Sequence, residues 1–173
     1  MSQSPSRRHQ TLLVAIVLSL VIALPALAGT VPPKGTVVDP PKTLSDPPAP
    51  GQLIQPAELA RVLADTTAQR PIVLHVGIKN FYTNGHIPGT PYVGPGSEPA
   101  GIASLKKALQ KTPRQRAVVL YCGCCPWTDC PNVHPAYQAV REMGFKDVRV
   151  LYIAKNLAHD WIEKGLPTIK GER

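Results

Sequence analysis

Apolar residues gather in three short runs along the chain: Pro71-Ile72-Val73-Leu74-His75-Val76, Ala117-Val118-Val119-Leu120-Tyr121 and, interrupted by one arginine, Val148-Arg149-Val150-Leu151-Tyr152-Ile153. Runs of this length, without polar alternation, predict strands buried on both faces. Between them the apolar spacing changes to that of a helix. Leu59, Val62 and Leu63 follow Gln55-Pro56-Ala57-Glu58, which places a proline in the first helical position and an acid in the first turn. Leu105, Ala108 and Leu109 mark a second helix that stops before Pro113. Ala136, Val140 and Met143 line a third, capped by Asn132 and ended by Gly144, and 157–164 predicts a last one, closed by Gly165 and Pro167. The segment 77–101 is rich in Gly, Pro and Asn and predicts a long connection, with turns at Asn84-Gly85 and Pro88-Gly89. Strands alternating with helices imply an α/β fold with a parallel sheet flanked by helices. Sites in such sheets form at the carboxyl ends of strands.

The first half-hundred residues follow a different pattern. Arg7, Arg8 and His9 precede an almost wholly Leu, Val, Ile and Ala stretch from Leu12 to about Leu24; Pro25 and Ala26-Leu27-Ala28 then follow. This order predicts a signal peptide over 1–28, removed before Gly29, and hence a periplasmic or secreted protein. An uncleaved anchor is the alternative. The apolar stretch is slightly short of the ~20 residues of a bilayer span, and no stable membrane span is expected after cleavage. Residues 29–52 repeat Pro-Pro pairs and end in Asp46-Pro47-Pro48-Ala49-Pro50-Gly51. Prolines cannot donate backbone hydrogen bonds, so this stretch predicts an extended linker. The folded domain is expected over 53–173.

Composition changes this picture little. Seven of the 20 prolines crowd into the 24 residues of the linker, and the 5% aromatic content leaves the core to aliphatic residues. The formal net charge of +8 is scattered, with no basic run interleaved with aromatics. It argues for a solvated surface and against a nucleic-acid partner.

Four stretches together resemble the rhodanese-like (sulfurtransferase) domain family. Gly85-His86-Ile87-Pro88-Gly89 is similar to its GHIPG turn. Val118-Val119-Leu120-Tyr121-Cys122 resembles the strand leading to its active cysteine. Gly144-Phe145-Lys146-Asp147-Val148 resembles the step after the active-loop helix, and Trp161, Gly165, Leu166 and Pro167 resemble its closing residues. The resemblance covers about 53–168. It implies a small rhodanese-like fold and a persulfide-forming cysteine, Cys122, served by a small sulfur donor and a thiol acceptor, with no cofactor. Three departures stand out. His75-Val76-Gly77 occupies the place of an Asp-Val-Arg strand end, and Ala154-Lys155-Asn156 replaces a Gly-Gly pair. The active loop is longer and lacks the arginine common in thiosulfate-using members, so the resemblance does not carry classical thiosulfate:cyanide transfer over to this chain.

All four cysteines lie within eleven residues: Cys122-Gly123-Cys124-Cys125-Pro126-Trp127-Thr128-Asp129-Cys130-Pro131-Asn132. Cys122 is the candidate nucleophile. Only a thiolate attacks, and here backbone amides and the helix start at Asn132 are expected to stabilise it, since the loop has no Lys or Arg. Gly123 permits the tight turn. Cys124, Cys125 and Cys130 stay open between three roles: a structural clip through Cys130, a resolving thiol for Cys122, or a metal site. In the last, Cys122, Cys124, Cys125 and Cys130, with His134 nearby, would suit Cu(I) or tetrahedral zinc. Pro126, Trp127 and Thr128 shape the loop, Trp127 as a lid over the cysteines, and Asp129 is expected to face water. His75 is a candidate auxiliary base or a hydrogen-bonded buried histidine. His86 belongs to the turn, and His134 is expected at the surface. The function that follows is sulfur transfer or thiol redox with Cys122 as carrier. The alternatives are a metal-binding module and a catalytically silent interaction domain with a protein partner.

Overall fold

The structure, a computed structural model, describes Pro48 and residues 50–171. The predicted signal segment and nearly all of the linker lie outside the described residues. A four-stranded sheet is built from β1 (Leu53–Ile54), β2 (Ile72–His75), β3 (Val118–Tyr121) and β4 (Val148–Leu151), in the order β1-β4-β3-β2. Every pairing is parallel. The helices are α1 (Pro56–Ala64), α2 (Lys79–Asn84), α3 (Pro99–Leu109) and α4 (Val133–Glu142), followed by a π-helical turn, Ala158–Ile162. This is the α/β arrangement that the apolar runs imply.

The sheet separates two cores, and strand parity assigns side chains to them. Val118, Leu120 and Cys122 point to one face, where Leu105 and Leu109 of α3 and Val133, Ala136 and Val140 of α4 pack. Val119 and Tyr121 point to the other, against Leu59 of α1, Leu157 and Trp161. β3 is buried along its whole length, as an unbroken apolar run requires. Cys122 therefore continues an alternation that aims its sulfur at the start of α4.

The sequence pattern and the structure part in four places. α2 falls inside the predicted connection; its residues Lys-Asn-Phe-Tyr-Thr-Asn bury only Tyr82, too little for an apolar stripe to show. β1 has two residues, which is below the length at which a pattern exists. The helix expected over 157–164 contracts to the five-residue π turn, in which Trp161 is fully buried and donates Nε1–H to the Pro167 carbonyl at 2.8 Å. Asn132 precedes α4 but makes no side-chain cap, because its side chain is engaged elsewhere. No helix among the described residues is long and apolar enough to cross a membrane.

Candidate functional site

The cysteine loop leaves β3 through Gly123, which holds φ +88°, a left-handed conformation that favours glycine. Two backbone bonds pin it. The Gly123 carbonyl accepts from Leu157 N–H at 3.0 Å, and Trp127 N–H donates to the Ile153 carbonyl at 2.9 Å. A short 3₁₀ turn, Trp127–Asp129, then leads to Cys130 and α4.

All four cysteines are free thiols in the structure. Cys122 and Cys130 are buried, Cys124 and Cys125 half-buried. The Cys122 sulfur lies 3.2 Å from that of Cys124, which lies 3.1 Å from that of Cys125. The Sγ atoms of Cys122, Cys124 and Cys130 all fall within 4.8 Å of one another. Asn132 donates Nδ2–H to Cys122 Sγ at 3.5 Å, while its Oδ1 accepts from Ser97 N–H at 3.2 Å and Ser97 Oγ–H at 2.8 Å. An amide oxygen accepts and an amide nitrogen donates, so Ser97 fixes which end of Asn132 faces the sulfur.

These donors set the charge of Cys122. The Cys130 thiol contributes most, burial opposes it, and the Cys124 amide, the Cys124 thiol and Asn132 follow; together they lower the pKa to about 6. At neutral pH Cys122 is therefore a buried thiolate ringed by donors. Its partners move the other way. The bond to Cys122 and burial push the Cys130 thiol far up, and burial with the neighbouring sulfurs does the same to Cys124. The sequence expectation of a cage made by the amides at the start of α4 needs correction. The amides of Asn132 and Val133 act on Cys130, while Cys122 is served chiefly by thiols, the Cys124 amide and one side-chain amide.

The remaining predicted residues take their places around this centre. Trp127 is half-buried and packs against the core that holds Cys122 and Cys130, and its ring lies 6.1 Å from that of His134. Pro126 is half-buried, while Thr128 and Asp129 are exposed, Asp129 to water as expected. His134 is buried rather than at the surface, with Nε2 at 3.2 Å from the Thr128 carbonyl. His86 is buried, stacked on Tyr82 at 3.7 Å between ring centres, and its backbone pairs with Ile169, a structural position.

His75 is in register with Tyr121 in the β2–β3 pairing and shares its parity, yet at the strand end its ring borders Cys122: the point a Gly77 methyl would occupy lies 3.0 Å from His75 Cε1 and 2.5 Å from Cys122 Sγ. Its ring packs among Tyr121, Tyr82 and Tyr92, and Nδ1 accepts from Gly77 N–H at 3.2 Å. Burial lowers its pKa to about 4. His75 is a neutral, hydrogen-bonded core histidine.

Two residues matter that the sequence pattern did not single out as part of the site. Gly77 lets the chain after β2 pass against Cys122: a methyl group there would lie 2.5 Å from Cys122 Sγ. Its signal was the departure His75-Val76-Gly77. Ser97, the anchor of Asn132, gave none, because its role depends on a contact across 35 positions.

Cys122 has only 2% of its surface exposed. Cys122 does not line the neighbouring cavity; Cys124, whose sulfur lies 3.2 Å from its own, does. This cavity of about 270 Å³ is lined by Gly123, Cys124, Phe81, Asn84, Leu157 and Ile162 among others, none of them charged. Phe81 and Ile162 are also two of the exposed large apolar side chains, so the mouth of the cavity is apolar.

No protein-family model matches the chain, and no curated protein matches it. Solved structures do. A crystal structure of a protein from Anabaena sp., whose rhodanese-like domain is also known in solution, is 20% identical and aligns 68% of this chain with 82% of that one at a TM-score of 0.51. Thiosulfate sulfurtransferase from Pseudomonas aeruginosa is 24% identical over 73% of this chain, which spans 21% of that protein, at a TM-score of 0.51. EanB, captured with a cysteine persulfide in a tetrahedral intermediate state with ergothioneine, is 15% identical, with 70% of this chain aligned to 33% of that one at a TM-score of 0.51. The chain has the rhodanese-like fold, with its cysteine loop following β3.

Proposed function

We propose that this chain is a sulfur-transfer or thiol-redox protein in which Cys122 carries the sulfur. The observation that carries the reading is the convergence of the Cys130 thiol, the Cys124 amide and thiol, and Asn132 Nδ2 on one buried sulfur at the end of β3. Such a ring of donors stabilises a thiolate, and after reaction it stabilises a persulfide anion of the same charge. In the transfer step, Cys122 thiolate attacks the outer sulfur of a donor persulfide R–S–SH. The bond between the donor's two sulfurs breaks, R–S⁻ leaves, and the outer sulfur stays on Cys122 with its proton. An acceptor thiolate then attacks that outer sulfur and restores the Cys122 thiolate. No electron is gained or lost overall.

The cavity supports one class of substrate. Its lining holds no cation to meet a thiosulfate dianion, and burying an unpaired charge is costly. Organic persulfides and polysulfides with an apolar body suit it better. The related fold of a thiosulfate sulfurtransferase and of a persulfide-bearing EanB agrees with sulfur chemistry on this fold. Export also belongs to this proposal: the charged, apolar and small-residue order over 1–28 supports a domain released outside the cytoplasm with the Pro-rich 29–52 as an extended N-terminal arm.

The test is a transfer assay. Reduced protein is given an organic persulfide or thiosulfate, with a second thiol as acceptor, and transferred sulfur is measured. Transfer from the persulfide that disappears in Cys122→Ala supports the reading. Equal, Cys122-independent transfer sinks it, and a preference for thiosulfate sinks the substrate assignment.

A further inference from the structure

Three sulfurs converge within 4.8 Å, and they come from three different settings: Cys122 at the end of β3, Cys124 in the loop, and Cys130 at the entry to α4. Two of them are almost fully buried, Cys122 at 2% and Cys130 at 1% exposure, so strand and helix fix their positions before any ion arrives. No fourth His, Cys, Asp or Glu joins the cluster among the described residues. Cys125 touches only the outer member, at 3.1 Å from Cys124 Sγ, and lies outside the triad. His134 turns its Nε2 to the Thr128 carbonyl.

We propose that Cys122, Cys124 and Cys130 form a three-sulfur binding site for a soft, low-coordinate metal ion, Cu(I), with Cys125 and His134 taking no part. The geometry fits the ion. With metal–sulfur bonds of about 2.3 Å, a planar trigonal site places its sulfurs ~4 Å apart. The cluster is compatible with that spacing: Cys122 and Cys124 stand 3.2 Å apart and no pair of the three sulfurs exceeds 4.8 Å. The number of ligands selects the metal. Thiolates favour soft ions, and structural zinc sites take four protein ligands in a tetrahedron, whereas this cluster supplies three sulfurs in a largely dry setting. The ion also takes the Cys122 sulfur itself. If the sulfur-transfer reading holds, metal and persulfide exclude one another, and a loaded site is a silenced carrier; the metal site does not depend on that reading.

The experiment titrates the full, reduced chain with Cu(I) under anaerobic conditions against a coloured Cu(I) chelator. X-ray absorption on the loaded protein then counts the sulfurs around the metal. One ion per chain with three sulfur neighbours is expected. Affinity should fall about tenfold or more in Cys130→Ala and in Cys124→Ala, and stay unchanged in Cys125→Ala and His134→Gln. Two-sulfur or four-sulfur coordination, an equal loss in Cys125→Ala, or displacement of Cu(I) by equimolar Zn(II) overturns the assignment. The sulfur count comes from the unaltered protein, so an unstable variant cannot decide the outcome. Persulfide loading of metal-free and Cu(I)-loaded protein is compared separately: full loading without metal and none with it is expected, and loading of both breaks the link while leaving the metal count standing.

Discussion

Asn132 holds Cys122 from one side only: Nδ2–H donates to the sulfur at 3.5 Å while Ser97 fills Oδ1 with two hydrogen bonds. At the start of α4, a residue type that usually caps a helix has been turned inward to face the Cys122 sulfur. Asn132→Ala removes a donor to an anion, worth about 1.5 kcal/mol or one pH unit. The midpoint for alkylation of Cys122 in metal-free protein is therefore expected to rise from about 6 to about 7. Asn132→Asp places a carboxylate beside the thiolate and should raise it further. A pH profile of alkylation followed by peptide mass analysis reads both; unshifted midpoints would contradict the assigned contact.

Cys130 is the largest contributor to the lowered Cys122 pKa. Cys130→Ser keeps a donor of similar size, and Cys130→Ala removes it. The Cys122 midpoint should stay low in the serine variant and rise by more than in Asn132→Ala in the alanine variant. The same alkylation profile orders the three proteins, and equal midpoints in serine and alanine would remove Cys130 from the role of donor.

Gly77→Ala tests the close passage of the β2 exit. The added methyl would sit 2.5 Å from Cys122 Sγ and 2.8 Å from its carbonyl oxygen. Backbone and sulfur must shift, at a cost of about 1–3 kcal/mol. Urea unfolding should show that loss, and alkylation of Cys122 at neutral pH should slow. A variant as stable and as reactive as the parent would place Gly77 outside the site.

His75 makes stability depend on pH. Its folded pKa of about 4 lies below the ordinary 6.5, so the unfolded chain takes up the proton first. The contribution is whole above 6.5 and is lost as pH falls towards 4. Two and a half units correspond to about 3 kcal/mol. Chemical unfolding of the parent and of His75→Phe across that range should show an acid loss larger in the parent by this amount. Equal losses would contradict a neutral buried imidazole.

What could be read in the sequence is what local pattern carries. The 71–76, 117–121 and 148–153 runs announced β2, β3 and β4, and Pro56 announced α1, because burial on both faces and a proline's fixed φ leave marks in neighbouring residues. The four clustered cysteines announced the convergence of three sulfurs after β3. Other features left no such mark. α2 buries one residue, Tyr82, and so has no stripe. The π turn packs Trp161 by tertiary contact, which the apolar spacing of a regular helix does not foresee. Asn132 carried the local signature of a cap, yet Ser97, distant in the chain, decides its orientation. His75 stood at a strand end near Cys122, and there the fold sets its ring among Tyr82, Tyr92 and Tyr121 at the border of that sulfur, a packing that no local pattern announces.

The most direct measurement of the central claim is the mass of the reduced protein after an organic persulfide has been added and removed. One added sulfur atom, mapped to Cys122 by fragmentation, lost on exposure to a thiol and never formed in Cys122→Ala, is the predicted result. A protein that gains no sulfur, or gains it equally well without Cys122, would contradict the account.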